Sequence, residues 1–338
     1  MPTLALLVQP MVAPAESLGW DRRLRAEAAD GAPGVLRIYG FAGDVLSLGR
    51  YHFAPRGGPV HRRWSGGRAM ACGAGFLGLG LVLPHRSALV SEEAFALSPE
   101  QVMNRSVRGI LRGLEAGGIP VLYPGRDTIT STRKVLGFVS FDVDDRGVLL
   151  FEAIVGVERD LSLLPHLLDD VDPEGVVPTS MLLPDDATCV AHAIGRSPRL
   201  EEVASWIVRG YQSTGQDVSF VPYEGGGSPS PADDAWLRQR VVRADLDHRA
   251  TIATVLGTIE AHVALAADGT IADVALAGDF IADAAAIAGV ERELRGCPVQ
   301  RMDVGGIVAA AFAQPGSFIL GIGPISTVTD VVMKACLA

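Results

Sequence analysis

The chain has 338 residues, of which 48% are hydrophobic and 20% charged, and its formal net charge is −10 at pH 7. This composition excludes a chain that is disordered throughout. The acidic balance argues against nucleic acid or a membrane surface as a partner, because both need a basic face.

The first predicted element is a β-strand at residues 3–8. These residues are apolar, no basic residues precede them, and Pro10 follows soon afterwards. A secretory signal would need a basic start, and a membrane span would need about 20 apolar residues. We therefore expect a cytoplasmic protein, and we expect it to be a monomer.

Two more β-type runs follow at 35–39 and 45–48, separated by the turn residues Gly43 and Asp44. A further apolar run at 77–83 is ended by a proline. These runs predict strands in the first quarter of the chain.

The clearest predicted helix begins after Ser98. Ser98 can cap it, Pro99 suits the first helical position, and Gln101 completes a capping-box pattern. Apolar residues share one face as far as Leu114, and Gly117-Gly118 is a termination signal.

Beyond that helix the pattern predicts a short strand at 121–123 and a hairpin with strands at 135–141 and 148–155. An amphipathic helix follows at 200–211. The mix of hairpins and separated helices favours an α+β fold over a doubly wound parallel sheet.

Composition changes near residue 225, where glycine, serine and proline predominate and a flexible connector is predicted. Strands at 259–265 and 271–276, with a helix after them, indicate a second small unit. We predict a large domain over 1–224, a linker over 225–235 and a small accessory domain over 236–338.

The segment 73–78 matches the GxGxxG pattern of dinucleotide-binding sites, and Glu92 stands about 20 residues further on, as the pattern requires. However, no strand pattern precedes it, and the residues after it predict a strand. Without a helix N-terminus no dipole would hold a pyrophosphate. We therefore reject a Rossmann site here.

The strongest candidate for chemistry is the segment 61–68, His-Arg-Arg-Trp-Ser-Gly-Gly-Arg. Three arginines flank a glycine turn whose amides can be left uncovered, so an anion could lie against the main chain. Arginine adds a planar fork that suits phosphate or carboxylate. A solvated basic turn is the alternative interpretation of the same residues.

A second candidate is Gly125-Arg126-Asp127, which precedes Arg133 and Lys134 by a few residues. The carboxylate of Asp127 could contact a nucleotide or Mg²⁺. An ammonium at the end of a hairpin, such as that of Lys134, can stabilise a developing oxyanion. A solvated lysine at a strand end is the alternative.

Other chemistry is weakly indicated. Four separated cysteines and seven histidines show no ligand spacing, so neither a metal site nor a disulfide framework is predicted. Cys72 follows the basic turn, where cations would favour its thiolate. It is also the type of residue that is usually buried.

In this order, the segments resemble the lipoate–protein ligases of the biotin/lipoate ligase superfamily. Arg62 to Arg68 is similar to the family's Arg-Arg-x-Ser/Thr-Gly-Gly-Gly loop, Gly125 to Thr128 to its Gly-Arg-Asn-Asp segment, and Arg133 to Gly137 to its Arg-Lys-Ile/Val-x-Gly motif. The segment 36–51 resembles the family's first hairpin, and the segments 233–240, 278–280 and 294–297 resemble the small accessory domain of the ligases. The resemblance therefore extends over nearly the whole chain.

The resemblance implies a class-II-ligase-like fold with mixed and antiparallel sheets flanked by helices, plus a smaller α+β accessory domain. It implies that lipoate or octanoate reacts with ATP to give acyl-AMP, with Mg²⁺ present. The acyl group would pass to a lysine of a lipoyl-accepting domain, of the 2-oxoacid dehydrogenase E2 or glycine cleavage H protein type.

The resemblance also assigns residue roles. Lys134 would be the catalytic residue that holds the oxygens of the mixed anhydride. The residues implied to bind substrate and nucleotide are Arg63, Ser65, Gly66, Gly67, Arg68, Gly125, Asp127 and Gly137.

The chain departs from the family at Arg68, which replaces the third glycine, and at Cys72-Gly73, which replaces a His-Asp pair. Thr128 and Arg146 replace two further polar positions. Two alternatives to the ligase follow. One is an ATP-independent octanoyltransferase that uses Cys72 as its nucleophile. The other is a catalytically degenerate, ligase-like binding protein.

Overall fold

The computed structural model describes residues 2–172, 175–177, 184–213, 218–232 and 234–338. Residue 233, which is part of the predicted linker, therefore lies outside the described residues. Among the helices of this part of the chain, none combines the length and the apolar character that crossing a bilayer requires.

Sixteen strands and ten α-helices are distributed along the described residues. The strands are β1 (Thr3–Val12), β2 (Val35–Phe41), β3 (Val45–Leu48), β4 (Val60–Arg62), β5 (Met70–Cys72), β6 (Phe76–Leu83), β7 (Val121–Leu122), β8 (Thr128–Ser131), β9 (Lys134–Val143), β10 (Leu149–Gly156), β11 (Ser219–Pro222), β12 (His248–Ala253), β13 (Thr258–Leu265), β14 (Ile271–Gly278), β15 (Ile281–Ala282) and β16 (Ile319–Leu320). The helices are α1 (Pro14–Ala29), α2 (Pro99–Ser106), α3 (Arg108–Ala116), α4 (Leu163–Val171), α5 (Val190–Ile194), α6 (Leu200–Gln212), α7 (Asp234–Arg238), α8 (Ala284–Glu293), α9 (Arg301–Phe312) and α10 (Ser326–Cys336).

The largest sheet has eight strands in the order β11-β1-β2-β6-β10-β9-β8-β7. The pairs β11–β1 and β1–β2 are parallel, and the remaining pairs are antiparallel. The sheet is therefore mixed, and the α+β class with mixed sheets flanked by helices is confirmed.

Helices cover both faces of this sheet. One face packs on α2, α3 and α6, whose apolar stripes include Ile110, Leu114 and Ile207. The other face packs on α1 through Trp20 and Leu24. Since both faces are buried, strands such as β6 and β10 are apolar along nearly their whole length instead of alternating.

Three smaller sheets complete the fold, with the orders β4-β3-β5, β12-β13-β14 and β15-β16. The β12-β13-β14 sheet shares a hydrophobic core with α8, α9 and α10, and Tyr51 from the first part of the chain packs into this core. The division into domains at 225–235 stays a prediction.

Several predicted elements are confirmed, namely β1, the β9–β10 hairpin, α6, β13, β14 and α8. The backbone amide of Ser98 donates to Oε1 of Gln101 at 3.0 Å, as a capping box requires. The helix predicted from Ser98 to Leu114 is in fact two helices, α2 and α3, which meet at Val107.

The runs at 35–39 and 45–48 do not pair with each other, so the interpretation of this region as the family's first hairpin is wrong. β2 lies in the large sheet between β1 and β6, whereas β3 pairs with β4 and β5. The turn at Gly43-Asp44 carries the chain from one sheet to another. Local sequence could not show this, because the choice of partner strand is a long-range property.

Candidate functional site

Strand β9 connects most of the predicted site. Phe138, Ser140 and Asp142 alternate along it and so lie on one face of the sheet. Each of them contacts a segment that the sequence singles out or an arginine near it: Phe138 faces Arg68, Ser140 faces the glycine loop, and Asp142 binds two arginines.

The glycine loop lies directly on Ser140. The Ser140 hydroxyl donates to the carbonyl of Gly66 at 3.0 Å. On its other side the loop contacts the segment between β14 and β15, since a Cβ at Gly66 would stand 2.2 Å from the carbonyl oxygen of Phe280. Gly67 has φ +83°, a value that favours glycine. The turn therefore requires both glycines for steric reasons.

Two amides of this loop already have acceptors within the chain. The amide of Ser65 donates to Oε2 of Glu152 at 2.9 Å, and the amide of Gly67 donates to the carbonyl of Phe280 at 2.7 Å. The expectation that this turn offers an uncovered nest of amides to an anion is therefore wrong for these two groups.

Arg63 stabilises the loop from beneath and is 2% exposed. Its Nη1 donates to the carbonyl of Ser47 at 2.8 Å, and its Nη2 donates to the carbonyls of Gly66 at 3.1 Å and Arg68 at 2.9 Å. Burial lowers the pKa of Arg63, while the nearby Glu152 acts in the opposite direction. Its donors thus hold the main chain, which contradicts direct contact of those donors with a substrate anion.

Arg62 is a structural residue that the sequence did not assign. It is 0% exposed, and burial lowers its pKa to about 9. Its guanidinium donates to the carbonyls of Gly49, Arg50, His52, Leu237 and Arg240. Arg62 thereby ties α7 and the segment after it to the turn that follows β3.

Arg68 and Asp127 form a buried ion pair. Nε of Arg68 lies 2.6 Å from Oδ2 of Asp127, and Nη2 lies 3.1 Å from Oδ1, so the pair is bidentate. The Arg68 guanidinium also lies over the Phe138 ring, 5.3 Å from its centroid. The structure therefore brings two predicted site residues together, but it satisfies each with the other.

Lys134 lies apart from the glycine loop. It is exposed and begins β9 directly after Thr132 and Arg133, whose positive φ values of 48° and 71° form a tight turn. Ser140 is six residues further along, which corresponds to about 20 Å of extended strand. The structure therefore does not bring together Lys134, predicted to hold the mixed anhydride, and the glycine loop, predicted to bind the substrate and nucleotide.

The two remaining predicted glycines have backbone roles. Gly125 has φ +81° in an exposed turn before β8, where an added Cβ would meet no atom of the described residues within 4 Å. Gly137 lies in β9 next to a register shift, and its Cβ would stand 2.5 Å from the carbonyl oxygen of Ile154. Backbone geometry accounts for both glycines, and neither position demonstrates a role in substrate binding.

Cys72 does not suit a nucleophile. Its side chain is 0% exposed in β5, and burial raises the pKa of its thiol to about 12, although Arg63 acts in the opposite direction. A thiol that is both inaccessible and protonated at neutral pH cannot attack an acyl group. The role of nucleophile predicted for Cys72 is therefore wrong.

Buried polar groups surround a small cavity of about 10 Å³ beneath the loop, lined by His61, Arg63 and Glu152 among others. Burial raises the pKa of Glu152, and burial followed by the charge of Arg63 lowers the pKa of His61 to about 3. His61 is therefore neutral in the folded protein. The cavity has room for about one water molecule.

A larger cleft of about 520 Å³ lies beside Trp64. Arg50 and Arg146 line it. Arg50 belongs to the segment 36–51, which resembles the lipoate–protein ligases, and Arg146 is a position at which the chain departs from that family. Arg22 and Arg25 of α1 also line it, together with Asp144, Asp145 and Asp283, the N-cap residue of α8. The cleft thus combines arginines and an aromatic side chain, which suit a phosphate beside a planar ring, with three carboxylates, one of which pairs with Arg25.

Asp142 fixes two of these arginines. Its carboxylate is 1% exposed and lies 2.7 Å from Nη2 of Arg25 and 3.1 Å from Nη1 of Arg50. Arg25 further contacts the Trp64 ring at 5.8 Å, and Trp64 stacks on Trp236 with centroids 3.8 Å apart. The sequence missed Arg22 and Arg25 because α1 was not predicted, although Pro14 at its first helical position was a signal.

Metal ligands are not clustered in the part of the chain that the structure describes. Within residues 2–172, 175–177, 184–213, 218–232 and 234–338, no group of three or more histidine, cysteine, aspartate or glutamate side chains is placed to hold a metal ion.

Known structures share this fold. The lipoate complex of LipL1 from P. falciparum aligns with 98% of this chain and 99% of its own, with a TM-score of 0.68 and 11% identity. ATP-bound lipoate-protein ligase A aligns with 71% of this chain and 94% of its own, with a TM-score of 0.50 and 15% identity. Protein Ta0514 of T. acidophilum with bound lipoic acid covers the same shares, with a TM-score of 0.50 and 17% identity.

No family model matches the sequence, and no curated protein is significantly similar to it. At identities of 11–17% the structural likeness defines the fold. The chain has the fold of the lipoate–protein ligases, and the resemblance found in the sequence motifs is confirmed at that level.

Proposed function

We propose that the protein is a lipoate–protein ligase that activates lipoate or octanoate with ATP. The carboxylate attacks the α-phosphorus of ATP, acyl-AMP forms, and pyrophosphate leaves. The amine of a lysine on a lipoyl-accepting domain then attacks the acyl carbon, and AMP leaves. The fold supports this proposal, because a lipoate-bound structure aligns over 98% of the chain.

The observation that carries the proposal is the identity of residue 134. The chain contains 27 arginines but only two lysines, Lys134 and Lys334. Arginine thus serves nearly everywhere as the basic residue, yet a lysine stands in the Arg-Lys-Val-x-Gly motif. Lysine provides a compact ammonium that arginine does not replace, which suits a developing oxyanion.

The other groups would act along β9. The arginines of the cleft beside Trp64 suit the charged part of a substrate, and Arg68 and Asp127 lie between that cleft and Lys134 along the strand. For nucleotide to contact Asp127, its ion pair with Arg68 would have to open. Mg²⁺ would enter with ATP, since substrate phosphates and one or two carboxylates suffice to bind it.

The test is lipoate- or octanoate-dependent exchange of pyrophosphate into ATP. We expect Lys134→Ala to lose about 100- to 1000-fold in rate, as loss of one oxyanion-stabilising group does. Lys334→Ala is the matched control, because it removes the only other lysine, which contacts the carbonyl of Thr251. Equal exchange by wild type and Lys134→Ala would remove Lys134 from the mechanism.

A degenerate, ligase-like binding protein is the second candidate, and the Arg68–Asp127 pair favours it. This pair and the occupied amides of Ser65 and Gly67 use groups that a nucleotide would need. A protein that binds a lipoyl domain in titration calorimetry, yet catalyses no exchange with lipoate or octanoate, would establish this candidate and exclude the ligase.

A further inference from the structure

A second cleft, of about 610 Å³, lies away from β9 on the outer face of the β12–β13 pair. Arg238, at the end of α7, and Arg249, in β12, line it together with His262 of β13. Its volume is that of a site for a small organic molecule. The groups that line it suggest what that molecule would carry.

The strand register places the polar groups side by side. Arg249 lies opposite His262, and Thr251 lies opposite Glu260, so all four side chains share one face of the antiparallel pair. The Thr251 hydroxyl donates to Oε1 of Glu260 at 3.0 Å, and Nε2 of His262 lies 3.3 Å from Oε2. Both oxygens of the carboxylate that lines this cleft are therefore used within it.

Within the described residues, three arginines line the cleft, Arg56, Arg238 and Arg249, and two of them, Arg238 and Arg249, keep free donors. Arg249 and Arg238 are both exposed. Nε of Arg249 contacts the carbonyl of Leu246 at 3.4 Å, which orients the guanidinium, while its two Nη atoms have no partner among the described residues. The guanidinium of Arg238 likewise has no ion pair there. In a chain of net charge −10, two such arginines on one cleft favour an anion.

His262 provides a second, independent indication of a ligand. Its side chain is 6% exposed, and its ring packs on Phe53 with centroids 4.5 Å apart. With Nε2 directed to Glu260, Nδ1 is buried without a partner in the described part of the chain. A buried polar atom usually has a partner, and a bound group that reaches the His262 ring from the cleft would supply one.

We propose that this cleft binds a small organic oxyanion, with its phosphate or carboxylate on Arg238 and Arg249 and a hydroxyl group near Nδ1 of His262. Guanidinium matches both oxyanions through paired N–H donors. The site is separate from β9 and goes beyond the proposed ligase activity.

The experiment is calorimetric titration of the full chain with ribose 5-phosphate, inorganic phosphate and citrate, with ribose as the uncharged control. We expect at least one anion to bind and ribose not to bind. Arg249→Gln and Arg238→Gln should each weaken binding about 10-fold, which corresponds to about 1.4 kcal/mol. The matched control Arg292→Gln removes an exposed arginine outside the cleft and should leave the affinity unchanged.

Comparison of the titrations distinguishes a phosphate ligand from a carboxylate ligand. Preference for ribose 5-phosphate over citrate assigns the phosphate class, and the reverse assigns the carboxylate class. His262→Gln should weaken ribose 5-phosphate more than inorganic phosphate, which has no sugar hydroxyl. Absence of binding by all three anions, or equal binding by wild type and both arginine variants, overturns the proposal. Lys134→Ala should retain anion binding, so this test and that of the ligase fail separately.

Discussion

Arg68 stands at the position where the loop motif of the lipoate–protein ligases, which this segment resembles, has its third glycine. Its guanidinium pairs with Asp127, whose side chain is 2% exposed, at 2.6 Å. Burying a charged side chain is costly unless the charge is paired and hydrogen-bonded. The substitution and the carboxylate therefore depend on each other energetically.

We expect Arg68→Gly to lower the free energy of unfolding by about 3 kcal/mol, because it leaves the Asp127 carboxylate buried and unpaired. The measurement is urea unfolding at neutral pH. Asp127→Asn in the same chain removes that charge, so the double variant should recover much of the loss. If Arg68→Gly alone changes stability by less than about 0.5 kcal/mol, the pair contributes no more than an exposed one.

At the scale of elements, main-chain atoms of the glycine loop are hydrogen-bonded from two directions. Ser140 of β9 lies on one side and Phe280, just before β15, on the other. Tyr51 stacks on Phe280 with centroids 4.5 Å apart and donates to the carbonyl of Ala282. The loop therefore has little freedom to admit another atom.

Gly66→Ala tests this close approach. The new Cβ would stand 2.2 Å from the carbonyl oxygen of Phe280, so backbone must shift, and we expect a loss of about 2 kcal/mol in unfolding free energy. Gly43→Ala is the matched control, because a Cβ there would meet no described atom within 4 Å and its φ is not positive. Equal stability of the two variants would show that the loop is looser than its contacts indicate.

At the scale of the whole molecule, buried titratable groups make stability depend on pH. His61 is 5% exposed, and its pKa is lowered from 6.5 to about 3 by burial and by Arg63. A group whose folded pKa is depressed in this way is neutral when folded but takes up a proton when unfolded. Stability from His61 is therefore lost as pH falls from about 6.5 towards 3.

We expect the wild-type protein to lose about 2 kcal/mol more than His61→Gln between pH 7 and pH 5, at about 1.4 kcal/mol per pH unit below the unfolded pKa. Unfolding free energies at the two pH values give the comparison. Burial raises the pKa of Asp21 to about 7, so Asp21 makes the stability change with pH in the opposite direction. It does so equally in the wild type and in His61→Gln, so its contribution cancels in the comparison. Parallel pH profiles would show that the pKa of His61 is not lowered in the folded protein.

Much of the fold could be predicted from local sequence. The β9–β10 hairpin followed from two apolar runs around a turn at 144–147, and the start of α2 followed from Ser98, Pro99 and Gln101. Helix α1 was missed, because its charged and small residues give a weak apolar stripe. The sheet to which β3 belongs could not be predicted, since strand pairing depends on residues far apart in the chain.

The sequence by itself determined the α+β class, the order of the ligase-like motifs and the presence of a lysine within one of them. Only the tertiary structure decided what those side chains touch. Arg63 supports main chain, Arg68 is bound to Asp127, and Cys72 is buried with a thiol that stays protonated. The physical reason is that spacing records which residues are present, whereas burial and long-range partners set their charge, reach and accessibility.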